Sequence, residues 1–288
     1  MNNVEFFSNH TFIKWGVGIA VLVISVASIF SLGKYNFDKQ IEEEINLITN
    51  YENTENYIVK EEDLESLPEN VQKWLVKAGV VGKPMIKGMY LKQTGEMKLE
   101  PEQKYIKPMA KQYINVANPA YLWTVDLPMI PLINTKGRDL FYDGKGSMTI
   151  KLGSLISVVN EESNYKLNES SMHRFLLEIP WYPTAALEDY ISWEEIDDLR
   201  AKAIMKYKGI EIEATFFFDN SGMVEKVEAI RYKGSDENSE RERCIGDLLE
   251  FETVDGFLVP VKINISWITD EEKFTWYKIK TYDIKYTY

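Results

Sequence analysis

The sequence predicts a mainly β protein of the α+β type: a curled antiparallel sheet or half-barrel with two or three helices, preceded by one transmembrane helix. Three observations predict it. A charge-free run lies near the amino terminus, hydrophobicity alternates with a period near 2 over most of the remaining chain, and short turn signals separate the alternating runs. The 45% hydrophobic and 27% charged residues are a globular balance. A mean hydropathy of -0.28 excludes a multi-pass membrane protein.

The charge-free run is Trp15 to Gly33, closed by Lys14 and Lys34. At ~1.5 Å per residue it makes a helix of roughly 28 Å, close to the ~30 Å of bilayer hydrocarbon. Trp15, Phe12 and Tyr35 suit the interface, where an aromatic ring keeps one edge wet. The same run also admits a cleaved signal peptide, with Ser31-Leu32-Gly33 as a weak cleavage site, or a buried core helix. Its length favours an anchor over a signal. The positive-inside comparison nearly ties, with Lys14 and the terminal amine on one side and Lys34 and Lys39 on the other. A short tail favours a signal-anchor, so the expected location is the cell membrane, single-pass, with the carboxy-terminal domain extracytoplasmic. The membrane is thus one expected partner, through Trp15–Gly33.

The expected organisation is a tail over 1–14, the span over 15–33, a stalk or linker with a short helix over 34–60, and a single β-rich domain over 61–288. Within the stalk, Ile41, Ile45 and Ile48 share one side of a helix over Asp38 to Asn50, and Tyr51 to Asn56 is polar. Pro68 to Gly79 reads as an amphipathic helix, with Val71, Trp74, Leu75 and Ala78 on one stripe, Pro at its start and Gly at its stop.

Strands come next. Ala201, Ala203, Met205 and Tyr207 alternate with Lys202, Ile204 and Lys206. Ile210, Ile212, Ala214, Phe216 and Phe218 alternate with Glu211, Glu213 and Thr215, and Val259 to Trp267 repeats the pattern. Asp143-Gly-Lys-Gly146, Lys208-Gly209, Asp219-Asn-Ser-Gly222 and Asp255-Gly256 are hairpin connections. The last strand, Phe274 to Tyr288, slips phase at Tyr277, which predicts a bulge and a curved sheet. One helix interrupts the strands, from about Asn168 to Ile179, stopped by Pro180. Ser235 to Arg243 is a charge-dense loop.

Charge and composition exclude several functions. With 33 Lys+Arg against 45 Asp+Glu, the net charge of -12 argues against a nonspecific nucleic-acid binder, which must neutralise phosphates with a basic surface. The single cysteine, Cys244, permits neither an internal disulfide nor a cysteine zinc site. No cofactor, metal site or catalytic residue is expected. His173, with Glu169 and Glu178 nearby, is the one base on which a hydrolase-type reading could rest. It lacks a convergent partner and reads as a surface or rim residue. Cys244 sits beside Arg241 and Arg243, but without a partner histidine it reads as an inert thiol. Glu188, Asp189, Glu194, Glu195, Asp197 and Asp198 form no calcium loop and read as solvated charge. No phosphate loop, nucleophile elbow or His-Glu-x-x-His run occurs.

The distinctive chemistry is aromatic: 7 Trp, 17 Tyr and 13 Phe. Rings turned into a curled sheet line an apolar pocket or fill a core. The expected ligand wall is Trp123, Glu178, Trp181, Tyr182, Trp193, Phe216, Phe218 and Trp267, with the proline-stiffened segment Glu178 to Leu187 as its lid. The expected function is binding of a lipid or other apolar small molecule. The alternative is a cell-surface interaction or assembly module with a solid core and an unknown protein partner.

At Leu67 to Gly82, Leu91 to Gly95, Leu177 to Ala186 and Glu252 to Pro260, the chain resembles an uncharacterised bacterial family of unknown function. That resemblance, from about Leu67 to Tyr288, brings no activity. The layout is similar to lipoprotein-carrier (LolA-like) half-barrels, which implies a curled sheet and helical lid around a cavity for acyl chains. It implies no catalytic residues.

Overall fold

In a computed structural model of the chain, residues 3–51, 56–130, 133–269 and 272–288 are described. The side chains of His10 and Phe12, and residues 52–55 of the expected linker, lie outside the described ones. Three α-helices are present among them: α1 (Asn3–Ile48), α2 (Glu69–Lys77) and α3 (Tyr165–Leu177). The strands are β1 (Gly88–Met97), β2 (Met109–Asn115), β3 (Ala120–Ile130), β4 (Ile133–Tyr142), β5 (Lys145–Leu152), β6 (Ile156–Glu161), β7 (Ile191–Asp197), β8 (Arg200–Tyr207), β9 (Ile210–Phe218), β10 (Val224–Tyr232), β11 (Arg241–Val254), β12 (Phe257–Thr269) and β13 (Glu272–Thr287).

They form one 13-stranded sheet, ordered β6-β5-β4-β3-β2-β1-β13-β12-β11-β10-β9-β8-β7. Two meanders therefore meet at its centre, where β1 pairs antiparallel with β13. The chain between β6 and β7 must cross from one edge of the sheet to the other. It does so over the concave face, as α3 and two short 3₁₀ turns, Ile179–Trp181 and Pro183–Leu187. The crossing thereby roofs the interior, and the sheet is the expected half-barrel.

Local sequence explains the hairpins. Asp143/Gly144, Lys208/Gly209 and Asp255/Gly256 all have positive φ, between 50° and 87°. Two consecutive left-handed residues make the type I′ turn whose twist matches that of antiparallel strands. The phase slip near Tyr277 is a bulge: Ile265 pairs with Tyr277 but Ser266 with Thr275, so Trp276 is the extra residue. Gly79, at φ +78°, ends α2 where a Cβ would stand 2.4 Å from the Gly256 carbonyl oxygen, so no other residue fits there.

The main core fills the concave side. Val71, Trp74 and Leu75 of α2, Met172, Phe175 and Leu176 of α3, and inward strand residues such as Leu91, Ile114, Phe141 and Phe216 are buried together.

The amino-terminal region departs from the expectation of a stalk. Residues 34–48 continue α1 without a break and pack on the convex face. Phe37, Ile41 and Ile48 are buried against Ala120 and Leu122, with Ile45, Tyr113 and Leu140 around them. The isoleucine stripe is thus a packing face. Lys136 Nζ lies 2.6 Å from Asp38 Oδ1, and Asn115 Nδ2 donates to the Ile48 carbonyl at 3.0 Å. The stretch from Lys14 is long and apolar enough to cross a membrane, and its apolar window is not buried against the sheet. That exposure removes the core-helix alternative.

Candidate functional site

Alternation places Thr281 (β13), Gln93 (β1), Gln112 (β2), Trp123 (β3) and Asp139 (β4) on the concave wall. Thr281 is opposite Gln93, Gln112 opposite Trp123, and Trp123 opposite Asp139. A polar stripe therefore crosses an otherwise apolar wall. Trp123 Nε1 donates to Gln93 Oε1 at 2.8 Å.

Helix α3 closes over this stripe. Asn164 caps it by accepting from the Leu167 amide, and its apolar side is fully buried. One turn before its end, Arg174 reaches the wall. Its guanidinium donates to Asp139 Oδ2 at 2.7 Å, Glu178 Oε1 at 2.8 Å and Gln112 Oε1 at 3.2 Å. It also lies 4.8 Å from the Tyr121 ring centre and 5.1 Å from that of Trp123. Burial opposes the charge on Arg174, and Glu178, Tyr121 and Asp139 outweigh it, so the group stays protonated. The side chains of Arg174, Asp139 and Glu178 keep 20%, 16% and 14% of their surface uncovered by protein.

Along β13, three buried polar atoms have no protein partner: Trp276 Nε1, Tyr277 Oη and Thr281 Oγ1. The bulge on β13 brings the Trp276 and Tyr277 rings to 5.5 Å of each other. Burial pushes the Tyr277 phenol well above its ordinary range, with Arg174 opposing, so it is a neutral hydroxyl.

The expected ligand residues divide between places. Trp123 and Glu178 meet at Arg174. Trp181 and Tyr182 are buried in the lid, where Trp181 Nε1 donates to the Pro260 carbonyl at 2.8 Å and the Tyr182 hydroxyl to that of Phe175 at 2.7 Å. Trp193 packs edge-on against Phe216 at 5.0 Å and against Trp74 at 6.1 Å, and Phe218 lies 6.4 Å from Trp74. Trp267 stands apart from this core, with the Arg231 guanidinium 5.6 Å over its ring. Sequence reading missed Arg174, Gln93, Gln112 and Asp139. The available signal was a glutamine at an inward position between apolar neighbours, as in Ala110-x-Gln112-x-Ile114.

A separate cleft of about 340 Å³ opens where the β9–β10 ladder stops at Thr215 and Glu228. Glu169, His173, Glu211, Glu213, Glu228 and Arg241 line it. His173 is 4% exposed, so it is not the expected rim residue. Its Nδ1 lies 3.0 Å from the Glu169 carbonyl, and burial, with Arg231 nearby, lowers its pKa to about 4. The Glu169 carboxylate is taken by Arg241, at 2.8 and 2.7 Å, and Glu178 by Arg174, so neither serves His173 as a carboxylate partner. Cys244 is buried, which raises its thiol pKa. Among the acids expected to be solvated, Glu188 differs: burial, with Asp189 beside it, raises its pKa to about 7.

Residues 65–286 match a family of unknown function, DUF6920, and the chain belongs to that family. No curated protein matches it. Among solved structures it is similar to a DUF1329 family protein from Desulfovibrio piger, at a TM-score of 0.41 and 13% identity over 70% of this chain and 86% of that one. It is also similar to a domain described as an outer membrane lipoprotein-sorting protein from Vibrio parahaemolyticus, at a TM-score of 0.36 and 9% identity over 69% and 85%. Neither likeness bears on what this chain binds.

Proposed function

We propose that the chain is a membrane-anchored, single-pass protein whose domain, residues 61–288, lies outside the cytoplasm and binds a lipid-like amphiphile on the concave wall. The observation that carries this reading is the set of buried, unpartnered polar atoms on β13, Trp276 Nε1, Tyr277 Oη and Thr281 Oγ1, on a sheet whose wall also holds the ion-pair cluster at Arg174. Each such atom costs about 1–3 kcal/mol unless something hydrogen-bonds to it. A polar head group supplies those bonds. The tail then enters past Trp123 and Glu178 beneath α3, towards Trp181, Tyr182, Trp193, Phe216 and Phe218.

Magnitudes limit the ligand. Lifting α3 exposes Met172, Phe175 and Leu176, at about 1.5–3 kcal/mol each. Burying one methylene returns about 0.8 kcal/mol, so a long acyl chain offsets the opening and a short fragment does not.

A second reading, a solid-cored interaction module, is favoured by the interlocking of Trp74, Trp193 and Phe216 and by the hydrogen bonds that pin the lid. Ordered water then partners the orphan atoms. A photoactivatable fatty acid, added to the full chain in lipid nanodiscs and mapped by peptide mass spectrometry, separates the two. Label on peptides holding Trp123 and Trp276–Tyr277 supports the amphiphile. Label confined to α1 and outer surfaces leaves the solid module.

A further inference from the structure

The apolar part of α1 leaves the domain beside one particular hairpin. Along the docked half of α1, Asp38 meets Lys136 and Glu44 meets Arg138, so the helix runs in the direction of β4. Followed back towards its amino terminus, it passes Lys151, whose Nζ lies 4.4 Å over the Phe37 ring, and reaches the β5–β6 turn at Gly33. There Gly33 packs closely on the turn: a Cβ on Gly33 would stand 2.8 Å from Leu155 Cδ1 and 3.3 Å from the Ser154 carbonyl oxygen. Gly33 is also the last residue of the charge-free run. The hairpin therefore sits level with the end of the segment that fits bilayer hydrocarbon.

The hairpin is apolar where a soluble edge would be charged. Leu155, Ile156 and Val158 are 37%, 54% and 58% exposed, and β6 is an edge of the sheet. An exposed edge strand invites pairing with another chain unless it is charged or covered. The opposite edge, β7, carries Glu194, Glu195 and Asp197. Between Ile156 and Asn160, β6 carries no charge.

We propose that the β5–β6 hairpin is a second membrane contact, with Leu155, Ile156 and Val158 seated in the headgroup layer beside the emerging α1. This rests on the reading of α1 as a membrane span. The bilayer is the occupant because the end of the apolar helix touches the hairpin itself. The lipid interface covers the edge that charge does not protect, and the contact holds the domain at a second point.

The test uses the full chain with Cys244→Ser, reconstituted in phosphatidylethanolamine–phosphatidylglycerol vesicles, with one environment-sensitive fluorophore at Val21→Cys, Ile156→Cys or, for comparison, Leu199→Cys on the far edge. Lipids brominated deep in the chain quench Val21 if α1 spans. Lipids brominated near the headgroup quench Ile156, with a blue shift, if the hairpin is seated, and leave Leu199 unchanged. Quenching at Val21 with Ile156 behaving like Leu199 keeps the anchor and overturns the hairpin contact. No quenching at Val21 overturns the anchor, and the contact with it. In a chain carrying I156E and V158E, both at exposed positions, a label at Leu155→Cys is expected to lose lipid quenching while Val21 retains it. Unchanged quenching at Leu155 also overturns the proposal.

Discussion

Arg138 and Glu44 face each other across the seam between the convex sheet face and α1 as a two-bond pair, Nε to Oε2 at 2.8 Å and NH2 to Oε1 at 2.7 Å. Their side chains are only 6% and 14% exposed. Arg138 also donates to Ser147 Oγ at 2.7 Å, so it ties α1, β4 and β5 at one point.

Arg138→Ala is expected to destabilise the chain by about 3 kcal/mol, because it leaves Glu44 buried without its cation. Replacing both members by apolar residues, as R138M with E44L, is expected to cost less than the single change. Denaturant midpoints of the three variants check this. A double variant weaker than R138A would show that the pair contributes net stability.

His173 and Glu188 give opposite pH dependences. The folded pKa of His173, about 4, is below its ordinary 6.5. Its contribution is therefore complete above pH 6.5 and lost as pH falls through 4, about 3 kcal/mol in all. Glu188 is raised to about 7 from 4.5. Its contribution is complete below pH 4.5 and lost as pH rises through 7, about 2 kcal/mol after allowing for partial solvent access. H173Q is expected to flatten the acid limb and E188Q the neutral limb of a stability–pH curve. A limb unchanged in its variant refutes that assignment.

Tyr277→Phe removes a buried hydroxyl that has no partner. The ligand-free chain is expected to gain up to about 1 kcal/mol, since the desolvation cost disappears and no bond is lost. Fatty-acid labelling at the concave wall is expected to fall in the same variant. Loss of stability would mean that ordered water already satisfies the hydroxyl.

Phe175→Ala, at the centre of the α3 contact with Phe141, Tyr182 and Tyr190, is expected to cost about 3–5 kcal/mol. If α3 is the moving roof, hydrogen exchange in residues 165–177 rises more than in β12. A uniform rise would argue against a separable helix.

Much of the fold was legible where the determinant is local. Asp-Gly and Lys-Gly pairs specify their turns by backbone chirality, and the bulge at Trp276 is written in the alternation itself. Docking of α1 was half legible. Ile41, Ile45 and Ile48 mark a face, but the face that receives it, Ala120 and Leu122, is defined only after β3 finds its register. The polar stripe was hidden for the same reason. Gln93 and Gln112 look like surface residues until pairing turns them inward, and Arg174 meets Asp139 across 35 positions of sequence. The aromatic residues were visible as a set, but a count of rings does not say whether they line a space or fill it.

Helix α1 has no break between Gly33 and Phe37. A flexible tether lets a domain swing through a volume and search for partners. A helix that runs unbroken from the apolar stretch onto the sheet fixes the bearing of one on the other. If that stretch spans a bilayer, as we propose, the Arg174 cluster is held at one station above the lipid. The proposed amphiphile site would then be a berth and not a shuttle, and whatever exchanges with it would come to that berth.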